Sequence, residues 1–141
     1  AFEPHPVHAA IWPHNVQRWG HTLHRCALGD AEGSVALAAA AGSSGDTHVV
    51  GPGDIPMRTL DSFGIERIDL LKIDTEGYEL PICRGAVETL TRCRPVVVLE
   101  QKGRDARHHG GRPGEALGFL REIGMVELRA PISGDHFLGW R

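Results

Sequence analysis

The chain has 141 residues, of which 41% are hydrophobic and 23% charged, and its formal net charge is -3. These values fit a single globular domain and argue against a disordered chain. The slight negative charge and the scattered basic residues argue against a nucleic-acid-binding surface and a membrane-binding patch. No apolar run reaches the roughly 18 residues that a membrane helix needs.

In the first half of the chain, the predicted elements are short. The apolar spacing over residues 7–11 indicates a helix, which Pro13 is expected to limit. Strands are predicted over residues 22–28 and 35–37. Residues 39–54 are rich in Gly, Ala and Ser at their start, and we interpret them as a loop that shapes a pocket.

Two nearly continuous aliphatic runs in the second half predict strands that are buried on both faces, as parallel strands of α/β proteins are. They cover residues 68–73 and 95–99, and each ends at a carboxylate, Asp74 or Glu100. Lys72 lies inside the first run. A buried ammonium must be paired, and the two carboxylates are the candidate partners.

Helical spacing follows the first run, where Ile82, Ala86 and Leu90 recur every four residues. Gly85 is expected to divide this stretch into two short helices or to kink it. A further helix is predicted over residues 113–124, with a proline in its first turn and a glycine at its end.

Two final strands are predicted over residues 125–128 and 136–140. Strands that alternate with helices are typical of βαβ units, so the predicted fold class is α/β with a parallel sheet. Ala1-Phe2 is predicted to be the end of a strand. We therefore expect residues 1–141 to form part of one domain that begins upstream.

Carboxylates follow several of the predicted strands, at the sheet edge where open parallel sheets bind ligands. Glu3 stands where nucleotide-binding sheets place an acid on the ribose hydroxyls, although a solvated terminal glutamate is the alternative. Acids in the segment 74–79 also suit the start of a helix, which Thr75 could cap. His108 could accept a proton near neutral pH, or it could be an exposed loop histidine.

The cysteines and histidines do not predict a metal site. Cys26, Cys83 and Cys93 are odd in number and lack a metal-binding spacing, so we expect reduced thiols in a cytoplasmic protein. Among the nine histidines, no two have the spacing of metal ligands with an acid nearby. The nearest approach, His5 and His8 beside Glu3, has prolines at positions 4 and 6.

The stretch LKIDTEGYE, residues 71–79, resembles the central signature of FkbM-type methyltransferases. Shorter pieces that fit the same family occur in the right order. They are Ala1-Phe2-Glu3-Pro4, Asn15, the turn at residues 27–30, Thr59-Leu60-Asp61, Arg84-Gly85-Ala86 and residues 95–100.

This resemblance implies a Rossmann-like methyltransferase sheet, mostly parallel with an antiparallel C-terminal strand. It also implies S-adenosylmethionine as the donor and O-methylation of a sugar, polyketide or other small hydroxyl-bearing metabolite. The family's first strand and its glycine-rich loop, which hold the amino-acid end of the donor, are absent from these residues. We therefore expect this segment alone to bind the donor weakly or not at all.

The resemblance also implies roles for individual residues. Asp74 is the first candidate to deprotonate or orient the acceptor hydroxyl, and Glu100 and His108 are the second. The residues expected at the donor are Glu3 on the ribose, Ala27, Leu28 and Asp30 beside the adenine, and Asp74.

Two alternatives remain open on the sequence. A dinucleotide-dependent oxidoreductase would share the sheet and the ribose-binding acid, but it would not explain LKIDTEGYE. A truncated, non-catalytic fragment retained for protein contacts would need no active site. The loops at residues 39–54 and 103–112 are expected to shape the acceptor pocket, but they do not name the acceptor, and the oligomeric state is not predicted.

Overall fold

The computed structural model describes residues 1–16, 20–39, 47–101 and 112–141. Within these ranges it contains four α-helices, seven strands and a short 3-10 turn at Asp61–Phe63. The helices are α1 (Pro6–Val16), α2 (Glu79–Arg84), α3 (Val87–Cys93) and α4 (Glu115–Glu122). The strands are β1 (Ala27–Leu28), β2 (Gly33–Ala39), β3 (Thr47–Arg58), β4 (Leu70–Ile73), β5 (Val96–Glu100), β6 (Met125–Glu127) and β7 (Asp135–Trp140).

The strands form two sheets, with the orders β1-β3-β2 and β4-β5-β7-β6. In the larger sheet β4 and β5 are parallel, whereas β7 is antiparallel to both β5 and β6. Three of its four strands therefore run in one direction and β7 runs in the other. The fold is mixed α/β, and the predicted antiparallel C-terminal strand is confirmed.

The long strand β3 was not predicted. Residues 47–54 were interpreted as loop, but they belong to β3, which pairs antiparallel with β2 from Gly33 opposite Met57 to Ala39 opposite Thr47. The pairing shifts between Val35, which faces Ile55, and Ala36, which faces Gly51. Glycine and proline usually weaken a strand, and here they occupy the bulge where pairing is interrupted.

Three other predictions differ in extent. The strand predicted over residues 22–28 is reduced to β1 and an isolated bridge between Phe2 and His24. In the run at residues 68–73, the strand begins only at Leu70 and ends at Ile73. Helix α1 continues past Pro13 to Val16, because a proline removes one helical hydrogen bond without necessarily ending the helix.

The hydrophobic core lies around the larger sheet and the three helices that pack with it, α2, α3 and α4. Its fully buried side chains include Leu90 of α3, Leu99 of β5, Leu120 of α4 and Leu138 of β7. The helical stripe and both aliphatic runs therefore contribute to one core. This core holds the carboxyl ends of β4 and β5 side by side, with Ile73 paired to Leu99.

Cys26, Cys83 and Cys93 are free thiols. Within the described ranges, no helix combines the length and apolar character that crossing a membrane would require.

Candidate functional site

A groove of about 870 Å³ lies where strands from both sheets end. Its lining includes four of the acidic residues that follow predicted strands, together with the two apolar residues after Cys26. These residues are Glu3, Ala27, Leu28, Asp74, Glu76 and Glu100. We refer to this cavity as the strand-end groove.

Most of the predicted site residues that the structure describes meet in the strand-end groove. The exception is Asp30, which is exposed and does not line it. Tyr78 does line the groove, and its pKa is raised mainly by burial. The nearby negative charge of Asp30 adds to this increase. His108 lies outside the described residues, as does most of the predicted pocket loop at residues 103–112.

Glu3 is held at one side of the strand-end groove by the start of α1. Its backbone nitrogen donates to the carbonyl of His24 at 3.1 Å, which continues the pairing of the Phe2 bridge. One carboxylate oxygen accepts a hydrogen bond from the His5 backbone at 2.8 Å, and the other lies 3.9 Å from Nδ1 of His8. The carboxylate is thereby oriented by local contacts, and its side chain remains partly exposed.

Lys72 is not buried, contrary to the prediction. Its side chain is 54% exposed, because β4 pairs only with β5 among the described strands and forms an edge of the larger sheet. The neighbouring Leu70 is 62% exposed for the same reason. An aliphatic run indicates an apolar strand, but it does not indicate how many strands will flank it.

The predicted pairing of Lys72 with Asp74 is confirmed. The Lys72 ammonium lies 2.9 Å from a carboxylate oxygen of Asp74. This hydrogen bond and charge raise the pKa of Lys72 above its ordinary value, and Asp135 and Glu100 add smaller contributions. Lys72 is therefore charged at neutral pH and places a positive charge beside the acids of the groove.

Three acids form a compact cluster at the carboxyl ends of β4 and β5. One oxygen each from Asp74, Glu76 and Glu100 lies within 4.8 Å of the others. Asp74 and Glu100 come together because β4 and β5 are parallel and in register. Oxygen ligands of this type suit hard cations, but Lys72 already supplies a positive charge at Asp74.

The turn that follows β4 brings Glu76 into this acidic cluster. Both Glu76 and Gly77 have positive φ angles, of 49° and 102°. The predicted helix cap by Thr75 is wrong, because α2 begins after Tyr78 and that residue makes no side-chain cap. Instead, the Thr75 hydroxyl donates to the Glu79 carboxylate at 3.1 Å.

Several aromatic and histidine side chains on the groove wall were not anticipated. His8 and Trp12 come from α1, His5 lies just before that helix, and His48 comes from β3. The rings of His5 and His8 lie 4.3 Å apart. Sequence reasoning missed them because α1 was only weakly indicated and β3 was interpreted as loop. The cluster of histidines near Glu3 was the available signal.

The methyltransferase FkbM domain family matches residues 1–126 of the chain. The chain belongs to this family. The resemblance that LKIDTEGYE indicated is thereby confirmed. None of the curated proteins matches the chain.

A solved structure supports the fold of this FkbM domain. The crystal structure of methyltransferase FkbM from Methylobacillus flagellatus KT is similar over 99% of the chain, with a TM-score of 0.58 and 18% sequence identity. The chain spans only 35% of that protein. At this identity the likeness concerns the fold, and the site assignments in the FkbM domain remain predictions.

The strand-end groove of the FkbM domain combines two chemical environments. Ala27 and Leu28 offer apolar surface at one part of the lining, and the three-acid cluster with Lys72 offers charged groups at another. Ionised carboxylates only accept hydrogen bonds, so Glu3, Asp74 and Glu100 suit hydroxyl donors or a cationic group. This arrangement fits a ligand with an apolar ring, hydroxyls and a positive charge.

Proposed function

We propose that this chain is part of an S-adenosylmethionine-dependent methyltransferase that O-methylates a sugar or other small hydroxyl-bearing metabolite. The observation that carries the proposal is the convergence of Glu3, Asp74 and Glu100 on one groove in a member of the FkbM methyltransferase family.

The chemistry of the groove fits the proposed donor. Glu3 would accept hydrogen bonds from the ribose hydroxyls, since a carboxylate can take two donors at once. Ala27 and Leu28 would contact the adenine, with Asp30 nearby. The acidic cluster around Asp74 would favour the positively charged sulfonium, because opposite charges attract strongly in a partly enclosed site.

The Rossmann-like arrangement, with a further strand supplied from outside residues 1–141, belongs to the same proposal. The strand-end groove lies between β4, which has one unpaired edge among the described strands, and the segment that contains Phe2. A strand and glycine-rich loop outside residues 1–141 would lie beside β4 and hold the amino-acid end of the donor. The complete polypeptide would then bind the donor more tightly than residues 1–141 alone.

When bound, the donor supplies an electrophilic methyl group on its sulfonium. The protein must hold the acceptor hydroxyl about 3–3.5 Å from that carbon and in line with it. Asp74 would accept the hydroxyl proton, which makes the oxygen a better nucleophile. The Lys72 ammonium lies 2.9 Å from a carboxylate oxygen of Asp74 and would hold that carboxylate in place.

The proton-acceptor role is tested by Asp74→Asn in the complete polypeptide, with a panel of hydroxylated sugars and S-adenosylhomocysteine formation as the measurement. We expect turnover to fall by about 100-fold or more, as is usual when a general base is lost. Asp69→Asn is the matched control, because Asp69 is 77% exposed and pairs with Arg67 outside the groove. Full methyl transfer by Asp74→Asn would rule out Asp74 as the base.

The donor site is tested by calorimetry of the complete polypeptide with S-adenosylmethionine. We expect Glu3→Ala to weaken donor binding by about 10-fold, which corresponds to the loss of a hydrogen bond to a charged group. Glu32→Ala is the control, since Glu32 pairs with Arg58 and does not line the groove. A complete polypeptide that binds NAD and not S-adenosylmethionine would favour the oxidoreductase alternative.

A further inference from the structure

Glu79 is the one charged side chain that is buried among the described residues, with 5% of its surface exposed. Burial of a carboxylate is costly unless hydrogen bonds replace the lost water. A single oxygen of Glu79 accepts three of them. The donors are the Thr75 backbone at 3.3 Å, the Thr75 hydroxyl at 3.1 Å and the Gly77 backbone at 2.9 Å.

All three donors lie on the turn between β4 and α2, so the turn wraps around the Glu79 carboxylate. The same turn contains Glu76 and Gly77 in the left-handed region of backbone space, which an ordinary residue such as glutamate adopts only at a cost. The hydrogen bonds to Glu79 offset that cost. The path of this turn determines where Asp74 and Glu76 lie in the strand-end groove.

We propose that Glu79 is a positioning residue that holds the turn at residues 74–78 in the geometry the methyl-transfer site needs. This inference rests on the proposed function of that site. Glu79 does not itself line the strand-end groove, whereas Asp74, Thr75, Glu76 and Tyr78 do. It acts on the acidic cluster through the backbone and has no contact with the reacting groups.

Three variants of the complete polypeptide test this role. Glu79→Ala removes the acceptor oxygen, whereas Glu79→Gln keeps an acceptor oxygen of nearly the same shape without the charge. Glu88→Gln is the matched control, because Glu88 also lies in the first turn of a short helix but is exposed and does not line the groove.

The first measurement is amide hydrogen exchange at Thr75 and Gly77, which does not depend on any ligand. We expect both amides to exchange at least about 10-fold faster in Glu79→Ala and to remain close to wild type in Glu88→Gln. Unchanged exchange in Glu79→Ala would overturn the positioning role.

The second measurement is steady-state kinetics. We expect kcat to fall by about 10- to 100-fold in Glu79→Ala, because small displacements of reacting groups slow a reaction by such factors. In Glu79→Gln we expect kcat to fall by only a few-fold. Equal losses in the two variants, or full activity in Glu79→Ala despite fast exchange, would overturn the inference. If wild type itself neither binds S-adenosylmethionine nor turns over, the proposed function fails, and the exchange measurement still tests the contact.

Discussion

At the scale of single residues, Asp61 shows how a short motif acquires a structural role. Its two carboxylate oxygens accept hydrogen bonds from the backbone nitrogens of Thr89 at 2.7 Å and Glu88 at 3.1 Å. These are orphan amides in the first turn of α3, which has no side-chain cap of its own. Asp61 therefore caps a helix from a distant segment, and its negative charge suits the helix dipole.

We expect Asp61→Ala to lower the free energy of unfolding by about 1–2 kcal/mol, which is the usual cost of losing an N-terminal helix cap. Chemical denaturation of the complete polypeptide would measure it. Asp69→Ala is the control, because an exposed pair with Arg67 contributes little, about 0–1 kcal/mol. Equal effects of the two substitutions would contradict the capping role.

Residue roles followed from the sequence only where they depend on near neighbours. Lys72 in β4 pairs with Asp74, which directly follows that strand and was one of its two predicted candidate partners, whereas the burial of Lys72 was predicted wrongly. The contact between Asp61 and α3 crosses 28 positions to Thr89 and was not predicted from the Thr59-Leu60-Asp61 motif. Distant partners depend on how the elements pack, which a local pattern does not describe.

At the scale of elements, the junction between α2 and α3 depends on Gly85. The predicted division of this helical stretch is confirmed, and the structure shows why glycine occupies the junction. A Cβ atom at Gly85 would lie 1.9 Å from the carbonyl oxygen of Gly29. The turn after β1 therefore packs directly against the helix junction and brings the predicted adenine-binding segment toward the core.

We expect Gly85→Ala to destabilise the protein by at least about 1–3 kcal/mol, as overpacking of a tight contact does. Gly118→Ala provides the comparison within α4, where an added Cβ meets nothing within 4 Å. That substitution should be neutral or stabilising by up to about 1 kcal/mol, because alanine favours a helix over glycine. Thermal unfolding of both variants decides the matter, and a harmless Gly85→Ala would contradict the tight packing.

The elements that sequence reasoning found were those with a uniform pattern. Strands β4 and β5, helix α4 and the two short helices all follow from runs or spacings of apolar residues. Strand β3 was missed because Gly51, Pro52 and Gly53 interrupt its pattern, and only pairing with β2 reveals that a bulge lies between Gly51 and Ile55. Strand pairing is a tertiary contact, so such interruptions look like a loop in the sequence.

At the scale of the whole molecule, Cys83 reports on the common core. It is fully buried in the cluster that joins the larger sheet to the helices. Burial raises the pKa of its thiol to about 12, with the charge of Glu79 adding to the effect. The thiolate that reacts with alkylating reagents is therefore nearly absent in the folded protein at neutral pH.

We expect Cys83 to be alkylated at pH 7 only as fast as the core unfolds, whereas the partly exposed Cys93 should react sooner. Mass spectrometry after timed labelling distinguishes the two sites. Addition of denaturant should accelerate labelling of Cys83 far more than labelling of Cys93. Equal labelling rates in native buffer would contradict a single well-packed core.

The sequence by itself determined the family, the α/β class and the acids at the ends of β4 and β5, because these depend on local patterns of side chains. The tertiary structure decided that Lys72 is exposed at a sheet edge, that β3 is a strand and that Glu79 lies beneath the turn. The physical reason is the same in each case. Periodicity determines which face of an element is apolar, but burial and hydrogen-bond partners depend on what packs against that face.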